Sequence, residues 1–434
     1  MPLRTHYSNE VTQKLSGSSI VVAGWARVIR EHGNIKFLVV ADRAGTVQIT
    51  AKKGDVSEQI MKEISSLAKE DVVSVEGDVR KSEQAPNGVE IVPRRITVLN
   101  KSEPQLPLDF KTKANLDTRL DARFLDVRKP EISAIFQIRD RVLATGRDYL
   151  RLKGCIEIQT PKIIASSSEG GTDLFPISYF EREAFLSQSP QLYKQMMMAT
   201  GLDRVYEIAT YFRAEQHDTV WHLNENTAFD LEMAFIQSEE DVMDMLEGLV
   251  MHIINDVAKS CKPQLATLKK EIDVPKNPPR LAYDECLKLL KDDVRIEWGE
   301  DLSTEAERKL GEIMKKQGHD LFFIKKYPLK IKPFYTMPDS NDPKLSNSFD
   351  LEYKGREISS GGQRVHLHDL LVKRIESKGL SPESFRGYLE AFRYGMPPHG
   401  GFGLGVERLL MQLLELPNIR EAVLFPRDRK RLTP

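Results

Sequence analysis

At 434 residues with a formal net charge of -1, the chain is too long for a single small core and has no overall field to attract nucleic acid, although a local basic patch would suffice. Its three cysteines, Cys155, Cys261 and Cys286, are odd in number and far apart, which excludes a disulfide framework and a zinc-finger spacing and suits a reducing compartment. No apolar run approaches a membrane span and MPLRTHYSNE has no signal-peptide core, so a cytoplasmic protein with no membrane partner is expected.

Between residues 18 and 100 the runs SIVVAGWARVI, KFLVVAD, TVQITA, DVVSVEGDV and VEIVPRRITVL are β-type and separated by glycine-containing turns. A helical stretch, SEQIMKEISSLAKE at 57–70, falls between the third and fourth of them. Three strands, a helix and two strands is the order of an OB-fold barrel, with a generic β module as the alternative. A first domain over 1–103 is therefore expected, and KSEPQLPLDFK, with Pro104 and Pro107, predicts a linker over 104–130.

From Glu131 the texture changes. EISAIFQIRDRVLATGRDYLRLKG has apolar residues at helical spacing and ends at Gly154, and the strand-like CIEIQTP follows. RVYEIATYF predicts a strand, and the SEED opening at Ser238 suits the start of an amphipathic helix running to about Ser260. LAYDECLKLLK and STEAERKLGEIMKKQ predict two helices within a charged stretch at about 262–330, read as an insertion. Strand-like runs then return in FFIKKYP, SFDLEYKGREISSG and GGFGLG before a final helix. Strands recur without βαβ alternation, so the second domain, 131–434, is expected to be α+β, with a mostly antiparallel sheet flanked by helices.

Chemistry concentrates in four places. No G-x-x-x-x-G-K-[ST] occurs, so phosphate cannot be held by a P-loop. In YFRAEQHDTVWHLNENTAFDLEMAF, strand-like spacing puts Arg213 and Glu215 on one face: an arginine fork for phosphate beside a carboxylate for an amino group, or simply a surface ion pair. His222 and Asp230 add polar groups to the same run. In EISSGGQRVH, Glu357 and Ser360 offer hard oxygens to magnesium, and Arg364 follows a glycine pair. SSSEGGTDLF carries Glu169 in a lid-like loop, and QSPQLYKQ puts Lys194 close to Gln191 in an otherwise apolar helix entry, where a lysine seldom sits without an anionic partner. Finally, GGFGLGVERLL sets Arg408 behind three glycines, but lacks the upstream strand and later acid of a Rossmann fingerprint.

These motifs together resemble those of the class II aminoacyl-tRNA synthetases. The run Phe212–Glu232 is similar to motif 2 of that class, GFGLGVERL to motif 3, and the long helix ending in IEIQTPKI to motif 1, which builds a dimer interface. QSPQLYKQ, SSSEGGTDLFP, EISSGGQRVH and NIREAVLFPRDRKRLTP resemble, within the class, the aspartyl enzymes of archaeal and eukaryotic type. The resemblance implies a homodimer that uses ATP, L-aspartate and Mg2+ and forms an aspartyl-adenylate before charging tRNA. It implies ATP contacts from Arg213, Ala214 and Glu215, from Trp221, His222 and Leu223, from Glu357, and from Gly405, Val406, Glu407 and Arg408. Aspartate contacts are implied for Glu169, Gln191, Leu192, Tyr193, Lys194, Arg213, Asp230, Ser360 and Arg364, with Lys194 and Arg364 gripping the side-chain carboxylate. Glu357 and Ser360 would hold the metal.

In the barrel, the resemblance puts Phe37 and Gln48 on the face that contacts the anticodon, with a core role as the alternative for Phe37. Two positions depart from the family. Trp221 stands where relatives often carry an arginine expected to touch the γ-phosphate. Arg27 and Pro86 stand where enzymes restricted to tRNA(Asp) tend to have tryptophan and lysine, which implies a non-discriminating enzyme that also charges tRNA(Asn). A discriminating aspartyl enzyme is the alternative, and an asparaginyl enzyme, which should lack the cation pair Lys194 and Arg364, is the next.

Overall fold

The computed structural model describes residues 2–108, 110, 113–165, 173–216 and 219–434. The chain forms two compact units that divide between Ser133 and Ala134.

The first unit is built on five strands: β1 (Ser19–His32), β2 (Ile35–Asp42), β3 (Gly45–Lys52), β4 (Val72–Lys81) and β5 (Val89–Asn100). They close into a barrel in the order β1-β2-β3-β5-β4. Alternate residues such as Leu38, Val40, Val47, Ile49, Val73 and Val75 fill its interior. The helix Glu58–Ser65 begins at Ser57, whose side chain accepts from the Ile60 amide, and buries Ile60 and Ile64. Within the 104–130 stretch expected as a linker stand two short helices, Leu116–Asp121 and Arg123–Asp126, and Leu108, Ala122 and Leu125 form a small buried cluster.

The second unit contains an eight-stranded sheet. Its strands are β6 (Ile156–Glu157), β10 (Arg204–Phe212), β11 (Glu225–Ala234), β12 (Arg280–Ala282), β13 (Leu321–Lys325), β14 (Ser348–Tyr353), β15 (Glu357–Gln363) and β16 (His399–Gly405), while β7 (Ile163–Ile164), β8 (Pro176–Tyr179) and β9 (Arg182–Leu186) make a separate small sheet. The order in the large sheet is β12-β13-β14-β15-β16-β11-β10-β6. Its central pairs are antiparallel, but β12·β13 and β10·β6 at the two edges are parallel, so the sheet is mixed. The helix Pro130–Leu152 approaches β11 closely: a Cβ on Gly146 would lie 2.4 Å from the Phe229 ring. The helix Glu239–Ser260 starts with a capping box between Ser238 and Asp241 and buries Val242, Leu246, Leu249, Val250 and Ile253 on one face.

The 262–330 stretch read as an insertion is woven into this sheet. It supplies β12 and β13, and its helices Tyr283–Leu290 and Thr304–Lys316 pack Tyr283, Cys286, Leu290 and Leu310 around Phe322 and Ile324. All three cysteines are buried and free. Among the described residues, no helix is long and apolar enough to cross a membrane.

Candidate active site

A cavity of about 340 Å³ opens over β11, β14, β15 and β16 of the second unit. Of the positions singled out in the sequence, Gln191, Arg213, Glu215, Trp221, His222, Leu223, Asp230, Glu357, Ser360, Arg364, Gly405, Glu407 and Arg408 line it. Leu192, Tyr193, Lys194, Ala214 and Val406 do not, and Glu169 lies outside the described residues.

Arg213 and Glu215 meet for a reason different from the one expected. β10 ends at Phe212, so both residues sit beyond the pleat, on the loop that leads to β11. Asn224 ties that loop: its side-chain amide donates to the carbonyls of Arg213 (2.7 Å) and Glu215 (3.2 Å), and the Arg213 amide donates to its carbonyl (2.9 Å). The result still brings the Arg213 guanidinium to 3.5 Å from the Glu215 carboxylate. Loop hydrogen bonding has replaced strand alternation as the cause.

Arg408 projects from the helix Val406–Leu414, directly after β16, and donates to the Glu357 carbonyl at 3.2 Å, with the Glu357 carboxylate at 3.6 Å. Val406 is buried, and Glu407 spends its carboxylate inside the protein, accepting from Arg139 (2.7 Å) and from the Thr227 amide (3.0 Å). Leu223 is buried with Met411 and Ile419. These three residues therefore hold the cavity wall in place.

Beneath the cavity lies a buried charge cluster. Lys194 is 2% exposed, and its ammonium donates to Asp230 (3.0 Å) and to the carbonyls of Leu231 (3.2 Å) and Phe402 (3.1 Å), with Glu232 at 3.4 Å. Arg364 donates to Glu232 (3.1 Å), the Gly401 carbonyl (2.9 Å) and Gln191 (3.4 Å). The two cations paired in the sequence thus converge on Glu232, a carboxylate that was not singled out. Burial alone would raise the Glu232 carboxyl, but Arg364 and then Lys194 outweigh it and hold it below its ordinary range. The signal for Glu232 was weak: an acid two residues after Asp230 on a strand that otherwise reads apolar. His399 completes the support. Its Nδ1 lies 2.9 Å from the Pro397 carbonyl and its Nε2 3.1 Å from the Gln195 amide, while the Gln195 carbonyl oxygen accepts from Gln191 and Tyr388. Burial pushes the imidazole down to about 4, so it stands neutral.

A second missed residue is Asp350 on β14, which pairs in register with Ser360 on β15 and lines the cavity with Glu357. One of its oxygens accepts from Lys332 (2.9 Å); the other is buried with no hydrogen-bond partner. Burial pushes its carboxyl up to about 6, Lys332 pulling it down and Glu357 adding to the rise. An orphaned carboxylate oxygen beside a second carboxylate and a cavity-facing hydroxyl fits a hard divalent cation shared with a ligand's phosphates.

In the first unit, Phe37 and Gln48 lie on neighbouring strands, with Phe37 opposite Thr50 and Gln48 opposite Val39. Phe37 is partly exposed on the outer face, while Leu38 and Ile49 next to this pair point inward, so the core alternative for Phe37 fails. Arg27 sits at a register shift in β1, 2.8 Å from the buried Glu70, with its guanidinium 4.1 Å from the centre of the Phe110 ring. Pro86 is exposed in the loop after β4.

Comparison with known proteins agrees with this geometry. The model of tRNA synthetases class II (D, K and N) matches residues 115–429, and that of the OB-fold nucleic acid binding domain matches residues 20–99. The chain is 57% identical over 436 residues to an aspartate–tRNA(Asp) ligase of Thermococcus kodakarensis, covering 99% of this chain and 100% of the relative. It is 54% identical over 435 residues to an aspartate–tRNA(Asp/Asn) ligase of Methanothermobacter thermautotrophicus, covering 99% and 98%. The solved asparaginyl-tRNA synthetase from Pyrococcus horikoshii complexed with asparaginyl-adenylate superposes with a TM-score of 0.94 at 34% identity, over 100% of each chain.

Proposed function

The chain belongs to the class II tRNA synthetases of the aspartate, lysine and asparagine group and attaches aspartate to tRNA; we propose that it does so through an aspartyl-adenylate and that it serves tRNA(Asp) and tRNA(Asn) alike. The observation that carries the first part is the cavity itself, where Arg213 and Arg408 stand above a buried floor of Arg364, Lys194 and Asp230.

Chemically, the floor selects the amino acid. Arg364 and Lys194 are matched by Asp230 and Glu232 in the empty floor; once Asp230 takes the substrate ammonium, one positive charge is left facing the cavity for a ligand carboxylate. An amide in place of the β-carboxylate would leave that positive charge without its counter-charge in a buried place, which discriminates against asparagine. Gln191 and Asp230 receive the substrate ammonium. Arg213 then bridges the α-carboxylate and the α-phosphate of ATP, holding the attacking oxygen in line with phosphorus, while Glu215 binds the adenine amino group and Arg408 stacks on the base. Magnesium, held by Glu357, Ser360 and Asp350, would neutralise phosphate charge. No side chain has to act as nucleophile, so the rate comes from alignment and from fixed charge. The adenylate passes its acyl group to the terminal ribose of tRNA, whose anticodon is read by the barrel face carrying Phe37 and Gln48.

Aspartate-dependent exchange of pyrophosphate into ATP tests this reading. Exchange with aspartate and little with asparagine is expected; preference for asparagine would overturn it.

The breadth of tRNA choice rests on Arg27 and Pro86. Relatives named for one tRNA and for two stand at 57% and 54% identity, so overall similarity does not separate the alternatives. Arg27 is held by Glu70 and Phe110, and Pro86 offers no amide donor to a neighbouring base. Both purified tRNAs are expected to be charged with aspartate; failure with tRNA(Asn) would make the enzyme discriminating and leave the activation chemistry untouched.

A further inference from the structure

Arg356 was not singled out in the sequence, yet it links the ATP cavity to a helix that takes no part in it. It sits in the turn between β14 and β15, immediately before Glu357. That turn is closed by the Tyr353 amide donating to the Arg356 carbonyl at 2.8 Å, and it lies backbone-to-backbone on the helix Thr304–Lys316. A Cβ on Gly311 of that helix would fall 2.3 Å from the Cα of Gly355, and Gly355 itself has a φ of +73°. Gly311 has no room for a side chain, and at Gly355 a Cβ would press on the helix backbone at 3.2 Å in a left-handed conformation that disfavours one, so turn and helix pack closely. The Arg356 guanidinium donates to the Thr304 carbonyl (3.4 Å) and to Glu307 (3.3 Å), both on or next to the start of the same helix.

The guanidinium so anchored lies 4.3 Å from the centre of the Trp221 ring. Trp221 also packs against the buried cluster of Leu223, Met411 and Ile419 and lines the cavity alongside Arg408 and Glu357. The indole is thus clamped between a fixed cation and an apolar wall.

We infer that Arg356 is a positioning residue for ATP: stacked on Trp221 and anchored by Thr304 and Glu307, it fixes the indole as a wall for the nucleotide's phosphates and brings from the β14–β15 turn a positive charge that the Trp221 position itself lacks. The inference rests on the ATP reading of the cavity proposed above. It also assigns a task to the helix Thr304–Lys316, which braces the nucleotide side of the site and leaves the aspartate floor alone.

Pyrophosphate exchange by Arg356→Leu, with each substrate varied in turn, tests this. The KM for ATP and for pyrophosphate should rise about ten-fold while the KM for aspartate stays within about two-fold, the scale of a partly desolvated cation–π contact. Arg356→Lys should fall between, because it keeps the charge and loses the flat stack. Trp221→Arg alone sets two guanidinium groups against each other and should weaken ATP; combined with Arg356→Leu it should recover most of that loss. ATP should change the tryptophan fluorescence of the wild type, and Trp221→Phe should remove most of that change. Unchanged ATP constants in a folded Arg356→Leu protein, or equal rises for ATP and aspartate, would overturn the inference. If Arg356→Leu does not fold, Glu307→Gln loosens the same guanidinium, and an unaltered KM for ATP there would be equally fatal. A wild type without ATP-dependent exchange would count against the proposed function instead.

Discussion

Lys194 and Arg364, the cation pair proposed to hold the aspartate side chain, are buried with internal carboxylate partners. Lys194 and Arg364 would be costly as lone buried cations; Glu232 and Asp230 neutralise them, and carbonyls of β11 and β16 accept further hydrogen bonds from both. Their alignment depends in turn on neutral groups. His399, fully buried, positions Gln195, which positions Gln191, which meets Arg364. This chain has a consequence for pH. An unfolded histidine takes up a proton near 6.5, whereas His399 in the fold resists protonation down to about 4. A depressed folded value means that stability is fully present above about 6.5 and is lost as the pH falls toward 4. The loss from this one group should be about 2 kcal/mol at about pH 5. Urea unfolding near pH 7.5 and near pH 5 should show that difference shrinking in His399→Gln; an identical pH dependence in the variant would mean that carboxylates alone account for it.

At the level of elements, β16 shows why three glycines precede Arg408, and the reasons differ. At Gly401 a Cβ would lie 2.0 Å from the Leu231 carbonyl and 2.3 Å from Glu232, so the sheet and the charge cluster exclude any side chain. At Gly403 the nearest atom would be an Asp230 oxygen at 3.4 Å, an ordinary contact, so the fold has room there and the bare surface is kept for what enters the cavity. Gly401→Ala should therefore cost about 3 kcal/mol of stability, read as a fall in Tm. Gly403→Ala should change stability by less than about 1 kcal/mol, yet raise the KM for aspartate or ATP about ten-fold. The opposite assignment of the two effects would mean that the glycines serve a single purpose. The pattern G-x-G-x-G was legible in the sequence, but this division of labour was not, because it depends on which strand lies against each Cα.

On the scale of the whole molecule, the homodimer that the family resemblance implies stands as a proposal, and apolar side chains that the single chain leaves in solvent support it. Leu152, at the end of the helix Pro130–Leu152, is 80% exposed, and Phe180 and Phe235 are 84% and 74% exposed. Ile156 is exposed on β6, a two-residue strand that ends the sheet and, among the described residues, pairs only with β10. Exposed apolar groups and an open sheet edge are what a second copy would cover. Sedimentation equilibrium should give twice the chain mass of 49.5 kDa at micromolar concentration; a monomer there would refute the proposal.

The OB-fold barrel, the long helices Pro130–Leu152 and Glu239–Ser260 and the strands that carry the motifs could be read from the chain, because hydrophobic period and glycine placement are local properties. The short helices at 116–126, 368–377 and 386–392 and the small sheet of β7, β8 and β9 were not. That Arg213, Arg408, Glu357 and Arg364 would be drawn to one cavity was legible because their residue types and neighbours are distinctive in any context. Tertiary structure decided the rest. It made the sheet mixed, since the partners of an edge strand depend on which distant segments arrive beside it. It turned Lys194 inward onto Asp230 and Glu232, brought in Asp350 by register with Ser360, and set Arg356 against Trp221. Each of these is a contact between residues far apart along the chain or on different strands. Electrostatic roles at that range depend on distance and burial, and a one-dimensional pattern carries neither.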